Sequence, residues 1–269
     1  MIGAVVQART GSSRLPNKVM RPVLGKPLLQ YLIERLKAST RVERIVVATT
    51  REPEDDALAA FVERLGVACT RGSTQDVLDR YYQAAREHGL DHVVRVGGDS
   101  PLIDPTVLDR VVDRYLDLFP NVDYVSNALR PTYPDGLDLE VFSLEFLTTL
   151  HRLADKPYQR EHVCTYMLEN RHLFRCENVE HYVNLSHHRW TVDYAEDFEL
   201  VRRIIEALYP TKPLFLMEDV LGLLSAHPEL VEMNRHIQQN EGFIRSLENQ
   251  GLSREEKERI VQTVLGRSL

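Results

Sequence analysis

The 269-residue sequence predicts an α/β fold: a mostly parallel mixed sheet flanked by helices, with a helical C-terminal tail. Three observations carry that expectation. Over residues 2–119, apolar β-branched runs alternate four times with longer stretches whose apolar residues recur every three or four positions. Shorter strand-like runs separated by turn residues follow up to residue 192, as in mixed or antiparallel pairing. From residue 212 onward only helical periodicity is left.

The elements follow in order. Residues 2–9 (IGAVVQAR) open on Ile2, Ala4, Val5 and Val6, a buried strand, and break into a loop holding Gly11, Ser12, Ser13 and Pro16. Residues 27–37 place Leu28, Leu29, Leu32, Ile33 and Leu36 on one helical stripe, with Pro27 suited to the first turn. Residues 44–50 are a second strand, and residues 52–65 a helix through Leu58, Phe61, Val62 and Leu65, closed by Gly66. A short third strand over 67–70 leads into the turn Arg71-Gly72-Ser73. Ser73 with Asp76 reads as a capping box for the helix through Leu78, Tyr82 and Ala85. Residues 91–99 form a fourth strand, and Asp104 and Pro105 fit the cap and first position of a helix running to about Phe119.

Beyond it, strands are expected over 122–126, 139–142, 174–179 and 189–192, and helices over 144–153, 160–168 and 196–208. The tail reads as helices over 217–224, 230–247 and 254–265, punctuated by Pro213, Pro228 and Gly251. The expected division is a main domain over 1–210, in which about 130–170 form an insertion, and a helical extension over 211–269.

Composition narrows the class. A net charge of −7 gives no overall basic excess for a nucleic-acid backbone. Cys69, Cys164 and Cys176 are few and widely spaced, so neither a disulfide framework nor a cysteine zinc site is indicated. With no long apolar run and no signal-peptide pattern at the first residues, the expectation is a cytoplasmic protein that does not enter a membrane.

Five stretches can carry chemistry. The loop after the first strand joins hydroxyls and backbone N–H groups to cations at Arg9, Arg14 and Lys18, the parts a polyphosphate needs, although a solvated basic turn has the same composition. Asp99 ends the fourth strand after Gly97-Gly98, where it either holds Mg²⁺ beside phosphates or shapes a turn. Asp193 ends Trp190-Thr191-Val192 before a helix, so it is a second metal ligand or a cap. Asp135, Asp138 and Glu140 suit sugar hydroxyls or a solvated hairpin. Arg160 and His162 suit an anionic acceptor or an exposed helix start.

At this point the chain resembles a known family. Ala8-Arg9-x-Gly11-Ser12-x-Arg14-Leu15-Pro16-x-Lys18, followed by Gly25-Lys26-Pro27-Leu28, is similar to the signature of cytidylyltransferases that activate acidic sugars, the CMP-sialic acid and CMP-KDO (3-deoxy-manno-octulosonate) synthetases. Gly98-Asp99-x-Pro101-Leu102-Ile103, Arg160-Glu161-His162-Val163 and Val192-Asp193-Tyr194-x-Glu196-Asp197 follow in that family's order. Asp135-Gly136-x-Asp138-x-Glu140-Val141-Phe142 resembles the branch named for spore-coat polysaccharide biosynthesis protein F. Gln7 departs from the proline many relatives carry, and Cys164-Thr165 from their Thr-Pro.

The resemblance implies a Rossmann-like nucleotide-diphospho-sugar transferase fold and transfer of CMP from CTP to an acidic sugar or sugar phosphate, with release of pyrophosphate, in polysaccharide biosynthesis. It implies a triphosphate site of Ala8, Arg9, Gly11, Ser12, Arg14 and Lys18, with Arg71, Ser73 and Asp76 near base and ribose, and Mg²⁺ on Asp99 and Asp193. It places the acceptor near Asp135, Asp138, Glu140, Arg160 and His162, and implies a homodimer through residues 130–170. A glycosyltransferase using a nucleotide-sugar donor and a non-catalytic nucleotide-binding module are the alternatives.

Overall fold

The computed structural model describes residues 1–248 and 250–266, so positions 249 and 267–269 of the expected tail lie outside the described residues. The chain runs β1 (Ile2–Gln7), β2 (Pro22–Val23), β3 (Lys26–Pro27), α1 (Leu28–Lys37), β4 (Arg44–Thr50), α2 (Asp56–Arg64), β5 (Ala68–Gly72), α3 (Val77–Glu87), β6 (His92–Gly97) and α4 (Pro105–Leu118). It continues with β7 (Tyr124–Ser126), β8 (Glu140–Ser143), α5 (Leu144–Leu153), α6 (Pro157–Glu161), α7 (Thr165–Glu169), β9 (Cys176–Asn178) and α8 (Ala195–Leu208). The last helices are α9 (Met217–Ala226), α10 (Pro228–Val231), α11 (Glu241–Glu248) and α12 (Arg254–Leu265).

Seven strands form one sheet in the order β5-β4-β1-β6-β8-β7-β9. β5, β4, β1 and β6 pair in parallel, β8 lies antiparallel to β6 and β7, and β9 pairs parallel with β7. This is the mostly parallel mixed sheet the alternation predicts. β1 lies between β4 and β6, with Val5 opposite Val46 on one side and Arg95 on the other. Ala4, Val5 and Val6 are fully buried, as a strand covered on both faces requires. One face packs under α1, α2, α4 and α8 through Leu29, Ile33, Val62, Leu108 and Ile204; the other packs under α3 and α5 through Leu78, Tyr81, Leu147 and Leu150.

The sequence expectation differs from the structure at five places, the first being that Arg71 and Gly72, expected in a turn, extend β5 by pairing with Thr49 and Thr50. Residues 189–192 are not a strand: Arg189 makes one isolated bridge with Asp135, while Trp190 N donates to Asp135 O (2.7 Å) and Val192 N to Asp99 O (2.8 Å). The main chain there divides its hydrogen bonds between two loops. The expected helix over 230–247 is interrupted between α10 and α11, because Asn240 takes a positive φ of 60° and Asn234 turns inward, donating to Arg189 O (2.9 Å) and Asp197 Oδ1 (2.8 Å). The expected helix over 160–168 divides at His162, whose ψ of 58° leaves the helical region, so α6 and α7 are separate. Ser73 and Asp76 do not form a capping box: Asp76 is itself the cap of α3, accepting from Asp79 N at 2.8 Å, and Ser73 Oγ accepts from Gln75 N and Asp76 N.

Phe215, Met217, Val220, Leu224 and Leu230 belong to the same core cluster as the sheet. Asp104 ties that segment down, since its carboxylate caps α4 and also accepts from Met217 N at 2.7 Å. Further on, α11 and α12 pack against α6 through Tyr158, Phe243, Leu247, Ile260 and Val261. Among the described residues, no helix is long and apolar enough to cross a membrane.

Candidate active site

The loop over residues 8–18 leaves the carboxyl end of β1 and is shaped from beneath. Thr10 N and Oγ1 both donate to Asp55 Oδ1 at 2.7 Å, and Ser12 N and Asn17 N both donate to Thr10 O at 2.8 Å. Asp55 is fully buried. Burial alone would raise its pKa, but hydrogen bonds from Thr50 and Thr10 outweigh that and hold it below the ordinary carboxylate value.

Beside this loop, β6 ends and the chain passes close to β1. Gly98 N donates to Gln7 O at 2.9 Å, and a Cβ on Gly98 would stand 2.7 Å from that carbonyl oxygen, so only glycine fits. The close approach sets Asp99 against the basic loop.

Lys18 joins the two aspartates. Its Nζ donates to Asp99 Oδ2 at 2.9 Å and to Asp193 Oδ1 at 2.7 Å, and Arg14 Nη2 also donates to Asp193 Oδ1 at 2.7 Å. Lys18 is only 9% exposed. Burial works against its charge, yet the combined pull of Asp99 and Asp193 is larger, and its pKa lies above the ordinary lysine value. For Asp193, burial pushes upward while Lys18, Arg14 and Arg189 together hold the pKa down. Lys18 and Asp193 are therefore both charged at neutral pH.

Further charge fixes Asp193 from behind. Arg189, 6% exposed, donates to Asp135 Oδ2 (3.0 Å), to Asp193 Oδ2 (3.3 Å) and through two nitrogens to Asp197 (2.9 and 3.0 Å). Asp197 Oδ2 also accepts from Asp193 N and Tyr194 N, each at 3.0 Å. Burial raises the pKa of Asp135, Arg189 offsets part of this, and Asp99, Asp193 and Asp197 add to the rise. Asp138 is pushed up too, by burial first and then by Asp135 and Glu140.

The basic loop with Arg14 and Lys18, together with Asp99, borders a cleft of about 870 Å³. Ala8, Arg9, Ser12, Arg14, Lys18 and Asp99, all expected from sequence, line it, as does His162 on the opposite wall. Other expected residues stand elsewhere. Asp193 lies behind Lys18. Gly11 faces Glu54, whose Oε1 would meet an added Cβ at 2.3 Å. Arg71 spends its guanidinium on Thr50 O, Glu52 O and Asp56. Asp76 and Arg160 hold each other, with Nη2 to Oδ2 at 2.7 Å, so neither faces the cleft. Thr74, Gln75, Val77 and Arg80 form that wall instead of Arg71, Ser73 and Asp76. Asp135 and Asp138 belong to the carboxylate cluster, and Glu140 accepts from Arg95 Nη1 at 2.9 Å and from the Cys164 thiol.

Sequence reasoning missed Asp55, Arg80 and Arg189, and it named Asp197 only as part of a motif, with no role of its own. Arg80 is 3% exposed and borders the cleft, and its Nε has no hydrogen-bond partner. Among the described residues no group of three or more His, Cys, Asp and Glu is arranged to hold a metal, so a bound cation would rest on the Asp99–Asp193 pair. The two carboxylates converge on one point, which the Lys18 ammonium occupies, and a donor set of that size matches the one or two protein carboxylates that Mg²⁺ takes.

A family model for cytidylyltransferases matches residues 3–240. A cytidylyltransferase structure from Leptospira borgpetersenii is similar at a TM-score of 0.82 and 34% identity, covering 86% of this chain and 96% of that one. The spore coat polysaccharide biosynthesis protein SpsF of Bacillus subtilis is 29% identical across 84% of this chain and 94% of its own. An 8-amino-3,8-dideoxy-manno-octulosonate cytidylyltransferase of Shewanella baltica is 37% identical over 116 residues, 41% of this chain and 46% of its own.

Proposed function

The chain belongs to the cytidylyltransferase family, and from that premise we propose that it transfers CMP from CTP to an acidic sugar or sugar phosphate, releasing pyrophosphate. The observation that carries the proposal is the Lys18 ammonium, buried under the basic loop and shared between Asp99 and Asp193. The acceptor oxygen attacks the α-phosphorus in line, the bond from that phosphorus to the bridging oxygen breaks, and pyrophosphate leaves. Arg9, Arg14 and Lys18 neutralise the leaving group, while Ser12 and the backbone N–H groups of the loop orient the phosphates. The acceptor's proton passes to water, because His162, with its pKa pushed down to about 3 by burial and then by Arg95, is too weak a base to take it.

Asp99 and Asp193 would hold Mg²⁺ here, and the ion would supply Lewis-acid polarisation of the phosphates. A homodimer through residues 130–170 and a role in surface polysaccharide synthesis belong to the same proposal. Glycosyl transfer from a nucleotide-sugar is less well supported, since a metal-held diphosphate donor needs fewer cations than the loop presents.

The test is pyrophosphate release and product mass, with each of the four nucleoside triphosphates offered against a panel of sugar acids. CTP is expected to be consumed and to give the CMP adduct, and chelation by EDTA to stop the reaction. Lys18→Ala is expected to lower turnover by about 100-fold or more. Near-normal turnover in that variant would sink the assignment.

A further inference from the structure

The family match ends at residue 240, yet the cleft does not. Gly242, Arg245, Ser246 and Gln250 all line it. On α11, Gly242, Arg245 and Ser246 stand at the i, i+3, i+4 spacing that puts them on one face, while Phe243 and Leu247 pack with Tyr158. The helix is thus divided between a polar face on the cleft and an apolar face on α6.

Two contacts of the helix and one of Gln250 just beyond it show that this segment is seated there and is not a loose appendage. Ser246 Oγ lies 2.9 Å from His162 Nε2, Gln250 Oε1 accepts from Tyr158 N at 3.3 Å, and the Tyr194 hydroxyl donates to Glu241. Its first turn also meets the basic loop. Arg14 packs over the Tyr194 ring with its guanidinium carbon 5.4 Å from the centroid, and a Cβ on Gly242 would stand 3.0 Å from Arg14 Nη1. Arg245 follows three residues later, about 4.5 Å further along the helix axis.

We propose that α11 is a substrate-binding wall of this cleft and that Arg245 binds an anionic group of the ligand. The guanidinium gives one nitrogen to Glu241 Oε1 at 2.5 Å, and its side chain is 53% exposed at the cleft rim. Both partners of the pair reach solvent, where ion pairs are weak, so an incoming anion displaces it at little cost. The chemistry Arg245 recognises is a planar or tetrahedral oxyanion, bound through two N–H groups. Within the nucleotidyl-transfer reading, on which the ligand's identity rests, that oxyanion is either a terminal phosphate of CTP or the acidic group of the acceptor.

Calorimetric titration of the full-length protein separates the two. Wild type, Arg245→Gln and Arg245→Lys are titrated with CMP, CDP and CTP, and with 3-deoxy-manno-octulosonate after saturation with α,β-methylene-CTP. The glutamine variant is expected to weaken at least one ligand by about tenfold, and the lysine variant to recover part of that loss, with unchanged melting temperatures. Loss confined to CTP, with CMP unaffected, assigns Arg245 to the phosphates; loss confined to the sugar acid assigns it to the acceptor. Affinities of Arg245→Gln within twofold of wild type for every titrant overturn the proposal. An absence of pyrophosphate release alongside Arg245-dependent CTP binding overturns the transfer reading and leaves this one standing.

Discussion

Asp197 lines no part of the cleft, yet its replacement is expected to damage both stability and turnover. Its carboxylate is fully buried and accepts five hydrogen bonds: from Arg189 Nε and Nη2, Asn234 Nδ2, Asp193 N and Tyr194 N, at 2.8 to 3.0 Å. Asp197→Ala leaves Arg189 buried with only Asp135 and Asp193 and strands two backbone N–H groups. Removing one partner of a buried ion pair costs about 3–5 kcal/mol. The two remaining carboxylates keep the expected loss near the lower end, about 3 kcal/mol. For a chain of this size that is a fall in melting temperature of roughly 6–12 °C. Turnover is expected to fall further than unfolding explains, because Asp193 loses the backbone anchor that holds it on Lys18. Asp197→Asn keeps the acceptors on one side and is expected to lie between. Thermal melting and pyrophosphate release at a temperature well below the transition measure the two effects. If Asp197→Ala melts within about 2 °C of wild type, the buried charge cluster is not what holds this part of the fold together.

Asp104→Ala removes the cap of α4 and the acceptor of Met217 N at once, so urea unfolding is expected to show a loss of about 2–4 kcal/mol, against about 1 for the loss of a cap alone. His162 supplies a pH test. Its folded pKa, about 3, lies below the unfolded value of 6.5, so its contribution is present above pH 6.5 and is lost as pH falls toward 3. In His162→Gln, which keeps a donor for Ser246, melting temperature is expected to fall less steeply between about pH 7 and pH 4 than in wild type. Parallel slopes would show that His162 is already solvated in the folded chain.

The helices that sequence reasoning located well carry their instructions locally. Asp104-Pro105 starts α4 with a side-chain cap and a proline that needs no N–H, and α12 begins on Ser253, whose hydroxyl accepts from Glu256 N. The segments it misread are ruled from a distance. Trp190, Thr191 and Val192 are buried, like a strand, but their burial comes from a passage between two loops and no ladder accompanies it. Apolar spacing around Leu230 fits a helix that continues, until Asn234 is recruited by Asp197, a residue 37 positions away. A periodicity argument sees neither partner.

The same distinction divides the site. Arg9, Arg14, Lys18 and Asp99 follow strand ends beside glycine, where polar residues advertise chemistry, and they line the cleft. Asp55, Arg189 and Asp197 act inside the protein, and each looks in sequence like an ordinary polar residue of a turn or helix start. The net charge of −7 conceals the result, since Arg9, Arg14, Lys18, Arg80 and Arg245 line one cleft against the carboxylates of Asp99 and Glu161. A solvated basic turn would leave its ammonium in water. Here Lys18 is 9% exposed and held by two carboxylates, a desolvation that only a compensating array of charge sustains. When a polyanion enters, it meets cations already oriented by the partly buried Asp99 and Asp193, so little reorganisation is left for the reaction itself to drive.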